Sequence, residues 1–156
     1  MLLDIYCLIL EIKCFKGGVL VMNAGLRKQI TDFIVEKVDP DFIVLFGSQV
    51  TGITHPGSDV DIAFYKPQHE LSAFEILGLA TELANIIKIK VDLVDLDNAS
   101  TVFKAQVFST GEPLHIASQF DFDEYQMIAL SMYYNFDVER REILKSIIES
   151  GSVYDD

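Results

Sequence analysis

The sequence predicts an α/β domain whose small mixed sheet is flanked by helices, and three observations carry that expectation. Short apolar runs at Phe42–Phe46, Asp59–Tyr65 and Val91–Leu96 alternate with longer segments of helical apolar spacing. Turn-forming Gly, Pro and Asp collect between those segments, at Asp39-Pro40, Gly52 to Gly57 and Pro67. The chain has 156 residues and is half hydrophobic, so the expectation is one domain with a sizeable core.

The elements follow in order. Asn23 is a good N-cap, and Leu26, Ile30, Phe33 and Ile34 behind it make one apolar helical face. Asp39-Pro40 ends that helix near Val38. Phe42–Phe46 is the first strand. The loop Thr51 to Ser58 leads to the second, Asp59–Tyr65, which Pro67 closes. Leu71 to Ile87 reads as a long helix with Phe74, Leu77, Ala80 and Thr81 along one side. Val91–Leu96 is the third strand. Ser100–Ser109 reads as a helix carrying Val102, Phe103, Gln106 and Val107. Gly111-Glu112-Pro113 reads as a turn, with a short edge strand at Leu114–Ala117. Phe122 to Ser150 is helical in pattern, with a break expected near Asn135–Asp137, and Gly151–Asp156 reads as a frayed tail.

Residues 1–21 stand apart. Lys16-Gly17-Gly18 can be encoded by AAA-GGA-GG, which reads as a bacterial ribosome-binding site, and three residues separate Gly18 from Met22. The expectation is that translation starts at Met22 and that residues 1–21 are a mis-assigned leader, the alternative being an accessory segment packed on the domain. That leaves residues 22–150 as the domain proper and 151–156 as the tail. Leu2–Phe15 is interrupted by Asp4, Glu11 and Lys13, and it lacks the basic start and small-residue cleavage site of a signal peptide. No run approaches the ~18 apolar residues of a membrane span. Cys7 and Cys14 are the only cysteines, which fits a reducing cytoplasm. The formal charge of −12 repels phosphate backbones and argues against a polynucleotide substrate.

The chemistry is concentrated in Phe42–Tyr65. A strand ends at Gly47-Ser48, ten residues intervene, and Asp59-x-Asp61 opens the next strand. Residues two apart in a strand share a face, so the two carboxylates project together and repel each other unless a cation lies between them. Hard oxygen ligands suit Mg²⁺, which keeps waters and substrate phosphates as further ligands. Gly47 lets the backbone approach a phosphate, and the Ser48 hydroxyl with the following N–H groups can donate to its oxygens. Asp92 and Asp95 lie on opposite faces of the third strand. Asp92 is chosen as the third acid, because a mid-strand carboxylate on a buried sheet needs a reason, whereas Asp95 near the strand end can reach solvent. Three acids on neighbouring strands suit two Mg²⁺ ions and nucleotidyl transfer. One ion holds the triphosphate, the other lowers the pKa of an attacking hydroxyl, and Asp92 binds the second ion or accepts the proton.

Gly47-Ser48, the ten-residue gap, Asp59-x-Asp61 and a later acid resemble the minimal nucleotidyltransferases of the DNA polymerase beta superfamily. Length and the VDLVDL strand are most similar to the MntA-type antitoxins, which are encoded beside a HEPN-domain RNase toxin of the HepT type. The resemblance covers Asn23 to Ser150, and its specific part is the Gly-Ser/Asp-x-Asp core. It implies a nucleotidyltransferase fold and Mg²⁺-dependent transfer of AMP from ATP onto a tyrosine of the toxin. By the same resemblance Gly47 and Ser48 match the nucleotide-binding turn, Asp59 and Asp61 the metal-binding catalytic pair, and Asp92 the third acid. Residues 1–21 have no counterpart in the pattern.

Two rivals remain from the sequence. A small-molecule nucleotidyltransferase, of the aminoglycoside-modifying kind, usually carries a second domain that this chain has little room for. A binding-only antitoxin has no need of a metal cluster. The other polar residues read as structural. His55, His69 and His115 have no metal-ligand spacing. Lys88 and Lys90 read as solvated edge-strand positions rather than steering groups for triphosphate. Arg140 and Arg141 read as an exposed helix face. The stripe Met127, Leu130, Met132, Tyr133 and Phe136 reads as mostly core, with a share available to a partner.

Overall fold

Four strands and five helices build the domain seen in a computed structural model, which describes residues 22–51 and 58–150. In chain order they are α1 (Ala24–Val38), β1 (Phe42–Phe46), the one-turn α2 (Ser48–Thr51), β2 (Val60–Tyr65), α3 (Ala73–Ile87), β3 (Val91–Asp95), α4 (Thr101–Thr110), β4 (Glu112–Ile116) and α5 (Gln119–Ser150). The expected leader 1–21, the tail 151–156 and His55 lie outside the described residues.

The sheet order is β3-β2-β1-β4. β1 pairs antiparallel with both β2 and β4, and β2 pairs parallel with β3. The mixed sheet is therefore as expected. A parallel pair needs a crossover, and α3 supplies it.

Local chemistry sets the helix ends. The Asn23 side chain accepts from Leu26 N at 2.8 Å. Asp39 closes α1 in the left-handed region, and Lys66 Nζ donates to the carbonyls of Val38 and Asp39 at 2.9 Å each, satisfying acceptors a helix end leaves open. Ser72 and Glu75 cap α3 reciprocally in a capping box. Ser100 caps α4.

Alternation along the strands splits the core in two. Ile43, Leu45, Val60, Ile62, Phe64, Val91 and Leu93 face α1 and α3. Phe42, Val44, Phe46 and Ala63 face α4 and the first turns of α5. On that second side Phe42 is the hub of an aromatic cluster. Its ring lies 5.1 Å from those of Tyr65 and Phe122, 5.4 Å from Tyr125 and 5.9 Å from Phe108. Tyr125 Oη donates to Leu96 O at 3.1 Å and fastens α5 to the end of β3.

Several sequence expectations are corrected. Glu112 and Pro113 belong to a strand, not a turn, because the reversal is completed at Gly111. That glycine sits so close to α4 and β1 that a Cβ there would be 2.4 Å from Val107 O and 2.5 Å from Val44 Cγ1. Pro113 is tolerated because β4 is an edge strand with a register shift opposite Ile43/Val44. Of the side expected on α3, Ala80 is buried but Phe74, Leu77 and Thr81 are exposed, and Leu83 and Ile87 complete the buried face. No break occurs near Asn135, where α5 runs on unbroken to Ser150. The stripe Met127, Leu130, Met132, Tyr133 and Phe136 is exposed rather than core. Its apolar spacing continues that of buried Phe122 and Ala129, but among the described residues the sheet and α4 end before α5 does.

Phe42 is 1 % exposed at the centre of its cluster. Phe42→Ala is expected to cost about 3–5 kcal/mol, read as a lowered urea midpoint at unchanged m-value.

Candidate active site

The functional corner lies where β1 ends and β2 and β3 begin. β1 delivers Phe46 opposite Asp61, and the chain then turns at Gly47 with φ +74° before Ser48 opens α2. This places the Gly47 backbone directly against the Asp61 carboxylate. A Cβ at position 47 would sit 2.1 Å from Asp61 Oδ2 and 2.9 Å from its Cγ. Glycine is thus required twice, by the left-handed backbone and by the close approach.

The parallel register pairs Asp61 with Asp92, so both carboxylates leave the sheet on the same face, the one that α4 and α5 cover further along. Asp59 lies one residue before β2. Its carbonyl accepts from Gln49 Nε2 at 3.4 Å, and its carboxylate forms an ion pair with Lys90 Nζ. Val60 N donates to Lys90 O at 2.9 Å, extending the β2–β3 ladder to the level of that pair.

Asp59, Asp61 and Asp92 thus meet at one corner beside Gly47 and Ser48. The choice of Asp92 over Asp95 fits this register, but the burial argument behind it is reversed. Asp92 is exposed and Asp95 is buried. Asp95 faces α3, where it accepts from Asp97 N at 2.8 Å and Asn98 Nδ2 at 2.7 Å and lies 3.1 Å from Nε2 of buried His69. His69 Nδ1 accepts from Leu71 N at 3.1 Å. His69 Nε2 is buried without a well-formed hydrogen bond, so its approach to Asp95 is a close contact on the far face, and spacing alone gave no sign of it. Lys90 is the site neighbour that the sequence analysis set aside. Its alternation with Asp92 was visible, but not that its ammonium would reach back across the strand gap to Asp59.

Electrostatics mark Asp61 as the strained member. Its carboxyl is held above its ordinary range, first by burial, then by the charges of Asp92 and Asp59, while Lys90 pulls the other way. Two neighbouring acids and partial burial are the conditions that a divalent cation relieves, and the donors are hard carboxylate oxygens, so the residues fit Mg²⁺. In the arrangement seen, no three His, Cys, Asp or Glu side chains among the described residues close into a metal cage, and the Asp59 carboxylate is engaged by Lys90.

Residues 28–120 match the family described as polymerase beta, nucleotidyltransferase. A protein adenylyltransferase MntA of Shewanella oneidensis is 37% identical over 106 residues, covering 68% of this chain and 75% of that one. A toxin–antitoxin crystal structure with AMP-PNP superposes with a TM-score of 0.70 at 32% identity, covering 78% of this chain and 98% of that one. A tri-AMPylated Shewanella oneidensis HEPN toxin in complex with MNT antitoxin gives 0.66 at 30% identity, covering 79% and 96%.

Two outcomes follow from the corner. Gly47→Ala should abolish nucleotide binding in calorimetry and lower stability by about 1–3 kcal/mol. Asp61→Asn should raise the Tm of the metal-free protein near pH 7. A carboxyl raised in the folded state opposes folding once ionised, so its penalty is absent at low pH and appears as pH rises through the folded value. The gain of the variant should therefore fade as pH falls toward the ordinary value of 3.8, measured by thermal melts across pH.

Proposed function

This chain belongs to the polymerase beta nucleotidyltransferase family, and from that premise we propose that it is a protein adenylyltransferase acting as an antitoxin. It moves AMP from ATP onto a tyrosine of a cognate HEPN-type toxin and so silences it. The observation that carries this reading is the packing of the Gly47 turn against Asp61 with Asp92 paired beside it. A phosphate-approach turn and paired carboxylates in contact are what nucleotidyl transfer requires. The relatives whose names state this activity, and the solved complexes with AMP-PNP or with an AMPylated HEPN toxin, support it.

Each residue then has a task. Gly47 leaves room for the triphosphate to lie against the backbone, and the Ser48 hydroxyl donates to a phosphate oxygen. Asp59 and Asp61 would hold Mg²⁺, and Asp92 would serve either as ligand of a second ion or as the proton acceptor. Bound there, the metal neutralises charge on the phosphates and lowers the pKa of the attacking hydroxyl. In the latter role Asp92, the exposed acid, takes the proton as the tyrosine oxygen bonds to the α-phosphorus. The bond from that phosphorus to the β-phosphate bridging oxygen breaks, and pyrophosphate leaves. No helix among the described residues is long and apolar enough to cross a membrane, and the partner is a protein rather than a nucleic acid, in keeping with the charge of −12.

The test is incubation of the protein with labelled ATP, Mg²⁺ and the HEPN-type protein encoded beside it. Label should pass to the toxin. Loss of metal ligation removes several kcal/mol of charge stabilisation, so Asp59→Asn or Asp61→Asn should cut labelling at least about a hundredfold. Labelling undiminished in both variants would refute the mechanism.

A further inference from the structure

We propose that Lys90 is a nucleotide-responsive latch: its ammonium holds the Asp59 carboxylate while the site is empty of nucleotide and transfers to the triphosphate when ATP arrives, releasing Asp59 to the metal. This deepens the nucleotidyltransferase reading and rests on it.

Four observations support the exchange. Lys90 Nζ and Asp59 Oδ2 form the ion pair at the corner, so a positive charge already occupies the Asp59 carboxylate. The pair is unevenly exposed, the lysine side chain 74% and the aspartate 32%. The ammonium therefore approaches from the open side, the side from which a triphosphate must enter. The backbone beneath is fixed, because Val60 N donates to Lys90 O and Val91 pairs with Val60. Only the flexible four-carbon stem has to move. Finally, among the described residues no three acids close into a metal cage.

The energetics favour exchange. An ion pair open to water contributes little, since both partners are well hydrated when apart. A triphosphate offers the ammonium several anionic oxygens in place of one carboxylate. The dication that accompanies the nucleotide is then a stronger partner for Asp59 than a solvated lysine. Without nucleotide the lysine competes with metal, and with nucleotide it assists. Lys90 thereby couples metal binding to nucleotide binding, and free Mg²⁺ alone does not assemble the site.

Lys90→Met tests this on the whole protein, with Lys90→Arg beside it. Mn²⁺ is titrated by electron paramagnetic resonance with and without AMP-PNP, and AMP-PNP affinity is measured by calorimetry in Mn²⁺. In the wild type, Mn²⁺ alone should bind weakly and AMP-PNP should strengthen it. Lys90→Met should bind Mn²⁺ alone several-fold more tightly and bind AMP-PNP about tenfold more weakly. Lys90→Arg should stay close to wild type in both. Unchanged affinity of Lys90→Met for Mn²⁺ alone would overturn the latch, as would unchanged affinity for AMP-PNP. Failure of the wild type to label the toxin would count against the adenylyltransferase reading instead, because these binding measurements do not involve the toxin.

Discussion

Everything at the functional corner depends on like charges being held together by a hydrophobic sheet. Asp61 and Asp92 are partners in the parallel β2–β3 register, and Asp59 lies just ahead of them. Left to themselves, three carboxylates would separate. They are kept close because the residues alternating with them, Val60, Ile62, Val91 and Leu93, are buried against α1 and α3. A one-residue slip of β3 would turn Asp92 into the core and Leu93 out of it. Burial of apolar surface on one face thus sustains the repulsion on the other; the Asp61 carboxyl is raised first by its own burial and then by the charges of Asp92 and Asp59. The Gly47 turn adds a steric limit, since its backbone fills the space beside Asp61.

Much of this was legible in the sequence, because period-two alternation and cap chemistry are local. Asn23 caps α1 as its place before an apolar rhythm implies, whereas Ser72 and Ser100, read as the first turns of their helices, are the caps of α3 and α4. Phe42–Phe46 forms as expected, and Asp59-x-Asp61 lies in the expected strand apart from Asp59 itself, one residue ahead of it. What was hidden is long-range. Which of Asp92 and Asp95 is buried depends on what covers each face of β3, and the cover over Asp95 includes His69, 26 residues before it. Strand propensity gave Pro113 to a turn, yet edge placement beside a register shift accommodates it. Methionine and aromatic spacing in α5 promised a buried face, but periodicity does not say where the neighbouring elements stop.

The acidic character of the chain and its one site lysine belong together. With 24 acidic and 12 basic side chains, most cations are dispersed on the surface. Arg27 is committed to Glu112 through two 2.8 Å bonds that tie α1 to β4, and Lys66 closes the end of α1. Lys90 is differently placed, beside the carboxylate cluster on the exposed edge of β3. A polyanionic substrate is repelled by the net charge of −12 and by the carboxylates themselves, so a bound metal and Lys90 together would offset that repulsion at the corner.

The reach of α5 also divides the molecule thermodynamically. Up to Ala129 the helix is sewn into the domain by Phe122, Tyr125 and Gln126. From Leu130 onward nearly every described side chain is exposed, and a lone helix of that length is marginal in water. Its turns therefore open independently of the global transition. Amides there should exchange with solvent long before those of the sheet, and far-ultraviolet ellipticity should drift with temperature well below the cooperative melt, so calorimetry and circular dichroism on this chain would describe two different populations of residues.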